Sequence, residues 1–375
     1  MIDPLKLLAE LIALPSVNPA FGTPADGRTG ERRVAEFLLA VAAQSGLDVE
    51  LREVAPGRPN FFARLAPAAR PRQRVLLAPH LDTVDGADEQ FAPQTRHGRI
   101  HGRGACDTKG SVAAMLAALS RVARGARRPA ATEVVFAGLM DEECAQTGSR
   151  ALAASGFRAD LAVVGEPTRA RVVTAHKGDL WLRIETRGKS AHGANPERGR
   201  NAVHAMARVV HLLETVYARS LRRRRHPLLG RATISVGSIQ GGTQPNIVPD
   251  RCAIYADRRT LPGETEGSVR RELRALLRQH GLAATMCDTK AAPCVALETD
   301  PCRPLVRQFM ACAGQTAPVG VNFFCDASVL AQAGIPSVVF GPGDIAQAHT
   351  ADEWLSLRSL ERATAILTRF LESLP

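Results

Sequence analysis

At 375 residues the chain is too long for one small core, and one domain per roughly 100 to 200 residues sets the expectation at two or three. Apolar residues at 45% and charged residues at 23% are those of an ordinary soluble globular protein, and no apolar run approaches the length that spans a bilayer, so no membrane is expected as a partner. The formal charge of +11 comes from arginines scattered through the chain; its one dense run, Arg222 to Arg225, reads as a solvated loop, and with aromatic residues at 4% nothing interleaves with it to stack on bases, which argues against nucleic acid.

The opening residues "MIDPLKLLAELIAL" carry acids and lack both a basic leader and a cleavage site, while Asp3 before Pro4 is a good helix start. An N-terminal helix over 3–13 is expected rather than a signal. A second helix over 31–45 is closed by Gly46. The short apolar runs 74–79, 132–138 and 160–165 have the texture of strands buried on both faces, and the Ala- and Leu-rich "KGSVAAMLAALSRVA" between the first two reads as a helix. Strands separated by helices imply an α/β, mainly parallel, doubly wound sheet, in which sites form beyond the carboxyl ends of the strands.

Near residue 178 the pattern changes. Residues 180–188, 231–242 and 251–260 alternate apolar and polar side chains, as half-exposed antiparallel strands do, and helices are expected at 200–219 and 265–280. This is an inserted α+β domain of ferredoxin-like type over 178–290. The first domain, over 1–177, resumes at 291–375 with "PSVVFGPG" (336–343) and a last helix from about Ser356, a residue suited to the N-cap. The eight cysteines are irregularly spaced with no C-x-x-C pair, which suits reduced, mostly buried thiols of a cytoplasmic protein.

Seven side chains with metal-binding or proton-transfer chemistry fall just after the expected strands of the first domain: His80 and Asp82, Asp107, Glu142 and Glu143, Glu166, and His349. Imidazole with carboxylate is the donor mix that zinc prefers, and cobalt or manganese can take its place. In "PHLDTV" the Asp two residues beyond the His shares its face and can orient and polarise it. Divalent cations would also explain three consecutive acids, Asp141 to Glu143, at a strand end, since a bound cation reverses the cost of crowding carboxylates. His97, His101, His204, His211, His226 and His280 lie in loop or helix patterns with no acidic partner in view.

In this order, "LLAPHLDTV", "GRGACDTKGSVAAML", "DEE", "VVGEPT", "GKSAHGANPERGRNAV", "GGTQPNIVP" and "AHTADEW" resemble the M20 metallopeptidases, in particular the acetylornithine deacetylase and succinyl-diaminopimelate desuccinylase branch. The resemblance runs from about Leu7 to Trp354. It implies a catalytic domain holding two zinc ions, with His80 and Glu166 on one, Glu143 and His349 on the other, and Asp107 bridging both, followed by a cis peptide. It implies Asp82 as the partner of His80 and Glu142 as the general base that takes a proton from the attacking water and passes it to the leaving amine. The inserted domain would be a lid and a dimerisation element. His192 would reach the other subunit's site in a homodimer to stabilise the oxyanion, and Asn246 and Arg259 would bind the substrate carboxylate. Strand parity turns the neighbouring Arg258 the other way. Cys106 and Cys144 are expected to be small buried neighbours without a chemical role.

Two positions depart from the family pattern: the glycine that commonly follows "DEE" closely is delayed to Gly148, and Cys325 precedes Asp326 where Thr or Ser is usual. The expected substrate is an N-acyl amino acid, acetylornithine or succinyl-diaminopimelate. A dipeptidase, a carboxypeptidase or a broad aminoacylase could use the same centre, and a binding protein without turnover is the reading from a different class.

Overall fold

The structure, a computed structural model, describes residues 1–22, 27–287 and 294–375. These divide into two compact units, one of Met1–Thr174, Thr299–Val319 and Cys325–Pro375, the other of Ala175–Glu298 and Gly320–Phe324. The second unit therefore starts slightly before residue 178. The expected limit at 290 lies outside the described residues. Gly320–Phe324 joins the second unit, with the Lys177 N–H donating to the Val321 carbonyl at 3.3 Å, a contact that no local pattern signals.

The first unit is built on a sheet ordered Asp48–Ala55, Arg58–Leu65, Thr132–Gly138, Gln73–Pro79, Leu161–Gly165 and Ser337–Val339, with Val173 against Val339 beyond. The last four of these strands are mutually parallel. The hairpin Asp48–Leu65 adds an antiparallel margin; its "DVELREVA" alternates as a strand with one wet face does. Successive strand residues point to opposite faces, and both faces are buried. Val75, Leu77, Val134, Phe136, Leu161 and Val163 join the core formed with the helices Pro4–Ile12, Arg32–Ala43, Lys109–Arg124, Pro304–Cys312 and Leu357–Glu372. Their alternates, Leu76, Ala78, Val135, Ala137, Ala162 and Val164, are equally buried outside that core, where Ala327–Gln332 packs on the sheet and Thr147–Ala154 on Ala327–Gln332.

Local chemistry accounts for the helix ends. Asp3 Oδ1 accepts from the Leu5 and Lys6 N–H groups (2.8 and 3.3 Å), and Gly46 takes the left-handed conformation after the second helix. Ser356 stands at the N-cap of the last helix, but its hydroxyl makes no capping bond. The Ala-rich helix Lys109–Arg124 is buried along most of its length because it lies between the sheet and Leu357–Glu372. Phe309 packs on Phe340 and Phe370 with centroids 4.9 and 4.5 Å apart, each pair worth about 0.5–1.5 kcal/mol beyond its burial.

The second unit holds an antiparallel sheet ordered Thr233–Gly241, Arg251–Thr260, Gly178–Arg187 and Thr285–Cys287. Leu182, Ile184, Ile254 and Ala256 pack beneath the helices Ala202–Leu212 and Glu266–Gln279. The helix expected over 200–219 begins at Ala202, capped by Asn201 Oδ1, and passes through a π turn, Leu213–Tyr217. Arg224 departs from the solvated-loop reading of 222–225, since it pairs with Glu264 (2.9 Å) and Glu272 across the fold. Of the eight cysteines only Cys106, Cys252, Cys294 and Cys325 are buried; Cys144 and Cys302 are exposed, and no disulfide joins any of them. Among the described residues no helix is long and apolar enough to cross a membrane.

Gly148 explains the delayed glycine of the acidic loop. Helix Thr147–Ala154 starts directly against the end of strand Thr132–Gly138, and a Cβ on Gly148 would lie 2.5 Å from the Met140 carbonyl oxygen and 2.6 Å from Asn60 Oδ1. The displaced atoms are largely backbone, so relief requires moving the loop that carries Glu142 and Glu143. Gly148→Ala is expected to destabilise the protein by about 1–3 kcal/mol, read as a lower denaturation midpoint in urea; an unchanged midpoint would show that the loop is free to give way.

Candidate functional site

Three adjacent parallel strands end side by side and deliver the site. His80 follows Pro79 directly, Glu166 follows Gly165, and the ladder between the first two strands continues past their ends, with Leu81 N–H donating to Leu139 O (2.7 Å) and Leu139 N–H to Pro79 O (2.9 Å). That extension carries the chain to Asp141, Glu142 and Glu143. Asp107 sits before helix Lys109–Arg124, and the Asp107–Thr108 peptide is cis, as the resemblance implies. His349 lies in the segment after strand Ser337–Val339, in the left-handed region at φ 61°.

All seven side chains singled out in this unit meet at one place. Asp107 Oδ1 lies 3.1 Å from His80 Nε2, while its Oδ2 lies 3.4 Å from His349 Nε2. His349 Nε2 is also 3.0 Å from Glu143 Oε2, and His80 Nε2 is 3.8 Å from Glu166 Oε1. The ligand atoms of His80, Asp107 and Glu143 fall within 4.8 Å of one another, and so do those of His80, Glu142 and Glu166. Asp107 is therefore a carboxylate with one oxygen toward each histidine.

Asp82 fixes more than its imidazole. His80 Nδ1 lies 3.0 Å from the Asp82 carbonyl oxygen and 3.3 Å from its Oδ1, which directs Nε2 into the cluster. The same carboxylate accepts the backbone N–H of Glu142 (3.0 Å) and of Glu143 (3.1 Å), and Asn18 Nδ2 at 2.7 Å. Asn18 Nδ2 also donates to Asp141 Oδ1 (2.8 Å), and Arg58 pairs with both Glu31 (2.5 Å) and Asp141 (3.2 Å). Asp141, at φ 67°, accepts from the Thr147 hydroxyl as well, and its carbonyl takes the Gln146 N–H at 2.6 Å. The three consecutive acids thus divide: Asp141 shapes the turn, and Glu142 and Glu143 are presented by it. Cys144 lies in this turn and points outward, which corrects the expectation of a buried thiol.

The electrostatics are those of crowded carboxylates. Burial, then the charge of Glu166, pushes the Glu142 carboxyl well above the usual range; burial and Asp107 do the same to Glu166 and raise Glu143 to about 6. Hydrogen bonds to Asp107 and Glu143 lift His349 to about 10, while for His80 burial is outweighed by Asp107 and Asp82. Among the described residues no Lys or Arg pairs with Asp107, Glu142, Glu143 or Glu166, and the buried Glu166 Oε1 has no hydrogen-bond partner. A carboxyl oxygen without a hydrogen-bond partner, 3.8 Å from His80 Nε2 in a cluster of two imidazoles and four acids, belongs to a donor set that suits divalent cations. The thiols of Cys106 and Cys325 are driven up by burial and by neighbouring carboxylates, so neither is a nucleophile.

In the second unit, His192 pairs with Ile247 in a bridge, and Gly193 N–H donates to the Asn246 carbonyl (2.7 Å), so His192 and Asn246 share one pair of loops. His192 Nδ1 accepts the Ala194 N–H at 3.1 Å. Arg259 forms a fork to Asp257, with Nε 2.9 Å from Oδ1 and Nη2 2.8 Å from Oδ2, and lies over the Phe324 ring. Arg258 turns to the opposite face, fully buried, with Glu264 at 2.5 Å and the Tyr217 hydroxyl at 3.2 Å. His101 and His226, read as lacking acidic partners, lie 3.1 Å from Asp352 and 2.9 Å from Glu298, contacts made across the fold rather than along the chain.

The sequence reading passed over Asn18, Glu31, Arg58 and Glu353, whose partners lie far away along the chain, and over the buried Asp326. Asp326 Oδ1 accepts the Ser149 hydroxyl at 2.6 Å, and burial raises its carboxyl to about 6. Only the Asp-Ala pair in "FFCDAS" hinted at it.

Residues 76–373 match the model of peptidase family M20/M25/M40. The chain is 34% identical over 323 residues to an acetylornithine deacetylase of Myxococcus xanthus, covering 83% of this chain and 82% of that protein. It superposes on the aminopeptidase PepT of Bacillus cereus with a TM-score of 0.79 at 20% identity, over 99% and 98% of the two chains. An M20 family metallo-carboxypeptidase of Sulfolobus solfataricus gives 0.76 at 19%, over 99% of both. With its cluster of imidazoles and carboxylates at the strand ends, the chain belongs to peptidase family M20/M25/M40 and is a hydrolase acting on amide bonds.

Proposed function

We propose that the protein is a di-zinc deacylase of the acetylornithine deacetylase or succinyl-diaminopimelate desuccinylase type, cleaving the amide bond of an N-acyl amino acid. The observation that carries this reading is Asp107, whose two carboxylate oxygens face His80 and His349 separately, beside Glu166 Oε1, which has no hydrogen-bond partner among the described residues. The relative named acetylornithine deacetylase supports the substrate class.

In this reading His80 and Glu166 would hold one cation and Glu143 and His349 the other, with Asp107 serving both; cobalt or manganese could replace zinc. Cations bound there would supply polarisation of the amide carbonyl and a more acidic water. Glu142 is the one carboxylate of the cluster left without a ligand role. Its raised affinity for a proton suits a group that takes one from the attacking water and returns it to the departing amine nitrogen. Asp82 keeps the His80 ring and the Glu142 and Glu143 backbone in place throughout. For the second unit we propose a lid and dimerisation role, with Asn246 and Arg259 binding the substrate carboxylate and His192 stabilising the oxyanion in the partner subunit. The planar fork that Arg259 now closes on Asp257 is the geometry a substrate carboxylate would need.

Two variants test these roles. Glu142→Gln keeps its shape but cannot take up a proton, so kcat on zinc-loaded protein should fall about 10²–10⁴-fold with metal content unchanged; near-wild-type kcat would remove Glu142 as the base. Arg259→Lys loses the bidentate fork, and KM for N-acetylornithine should rise about 10–100-fold with kcat much less affected. The same variant should make no difference to a substrate whose carboxylate is replaced by an amide; an equal loss on both substrates would contradict carboxylate binding.

A further inference from the structure

We infer that Glu353 is a positioning residue that clasps the loop presenting Asp107 to the segment presenting His349, and so sets the spacing of these two side chains; the inference rests on reading both as cation ligands. Glu353 is 2% exposed, and its carboxylate is fully engaged. Oε1 accepts the backbone N–H groups of Cys106 (2.9 Å) and Asp107 (3.0 Å). Oε2 accepts the Gly104 N–H (3.1 Å) and Arg103 Nη1 (2.7 Å). A carboxylate has about four acceptor sites, so four donors saturate it, and three of them are amides of the single loop that ends at Asp107.

The other half of the clasp holds the chain between His349 and Glu353. Gln90 Nε2 donates to the carbonyls of Thr350 (3.1 Å) and Ala351 (3.0 Å), Arg103 Nη1 reaches Thr350 O (3.3 Å), and Gly102 N–H donates to Glu353 O (3.0 Å). Beyond it, Trp354 and Leu355 pair with His101 and Ile100 as neighbouring strands. Two segments some 250 residues apart are thereby bound over their whole approach to the site. His349 stands at the edge of this clasp at φ 61°, a backbone conformation uncommon outside glycine, directly before the tethered Thr350. A shift of the Asp107 amide moves its Oδ2 relative to His349 Nε2.

Only a carboxylate can do this. Glutamine has the same shape, but its NH₂ would face at least one of the two donor pairs, N–H against N–H. Residues that orient metal ligands through hydrogen bonds typically cost about 10–100-fold in metal affinity when removed.

The test is a titration of metal-stripped wild type, Glu353→Gln and Gln90→Ala with zinc, alongside thermal melting. Wild type should take two equivalents. Glu353→Gln should weaken both equivalents, because Asp107 is shared, and most of all the one that also needs His349, by about 10–100-fold. Gln90→Ala, which removes two tethers and leaves Glu353 with its four donors, should weaken the same equivalent to a smaller degree, and it decides the matter if Glu353→Gln does not fold. Wild-type affinities at both sites in the two variants would overturn the clasp. So would equal weakening of both sites in Glu353→Gln with a lowered melting temperature and an unaffected Gln90→Ala, the mark of a purely structural residue. Wild type that takes up no zinc would refute the cation reading itself, and the clasp with it.

Discussion

Asp107 is one buried carboxylate shared by two imidazoles, and the rest of the first unit is arranged so that this sharing is possible. Its Oδ1 faces His80 and its Oδ2 faces His349, residues delivered by a strand end and by a segment more than two hundred positions later. A carboxylate can be held in this way only if its own backbone cannot move. The amide of Asp107 is fastened by Glu353, and Thr108 Oγ1 donates to the Gly165 carbonyl at 2.8 Å, next to Glu166. The parallel strands supply parallel exits, so His80, Glu166 and the Glu142–Glu143 pair emerge on one edge of the sheet without a long loop among them.

A second constraint is charge. Several buried carboxylates within reach of one another oppose folding unless something positive answers them. Two kinds of answer are present. Outside the ligand cluster, protein groups suffice: Arg58 answers Glu31 and Asp141, Arg103 answers Glu353, and Asn18 supplies two N–H bonds where Asp82 and Asp141 approach. Inside it, among the described residues, only His80 and His349 oppose four acids, and Glu166 Oε1 has no hydrogen-bond partner. The boundary between these two zones runs through the acidic loop itself, between Asp141 and Glu142. It separates what the protein neutralises on its own from what a cation would neutralise.

Much of this was legible in the sequence where the signal was local. Short continuous apolar runs located the central strands to within a residue, and the acids and histidines stood just beyond them because parallel strands expose their ends on one side. Parity along Arg251–Thr260 separated Arg258 from Arg259, and the structure gives them opposite faces. The illegible part consists of contacts between distant positions. Nothing near Asn18 announces Asp141, and nothing near Glu353 announces the amides of Gly104 to Asp107, because a lone Asn or Glu in a loop has no period to read. For the same reason His101 and His226 looked unpaired, and Gly320–Phe324 looked like part of the first unit. Gly148 lies between these cases: its unusual spacing was visible, but its cause, the approach to Met140 and Asn60, needed the fold.

If Asp107 is shared by two cations as proposed, their binding would be interdependent, and a metal titration reads this most directly. Metal-stripped wild-type protein titrated with cobalt, followed by its visible absorption, should saturate at two equivalents per chain. Asp107→Ala, which withdraws a ligand from both positions at once, should lose affinity at both. Saturation of wild type at one equivalent or none, or an Asp107→Ala protein that loses only one of two, would contradict a centre built around a shared carboxylate.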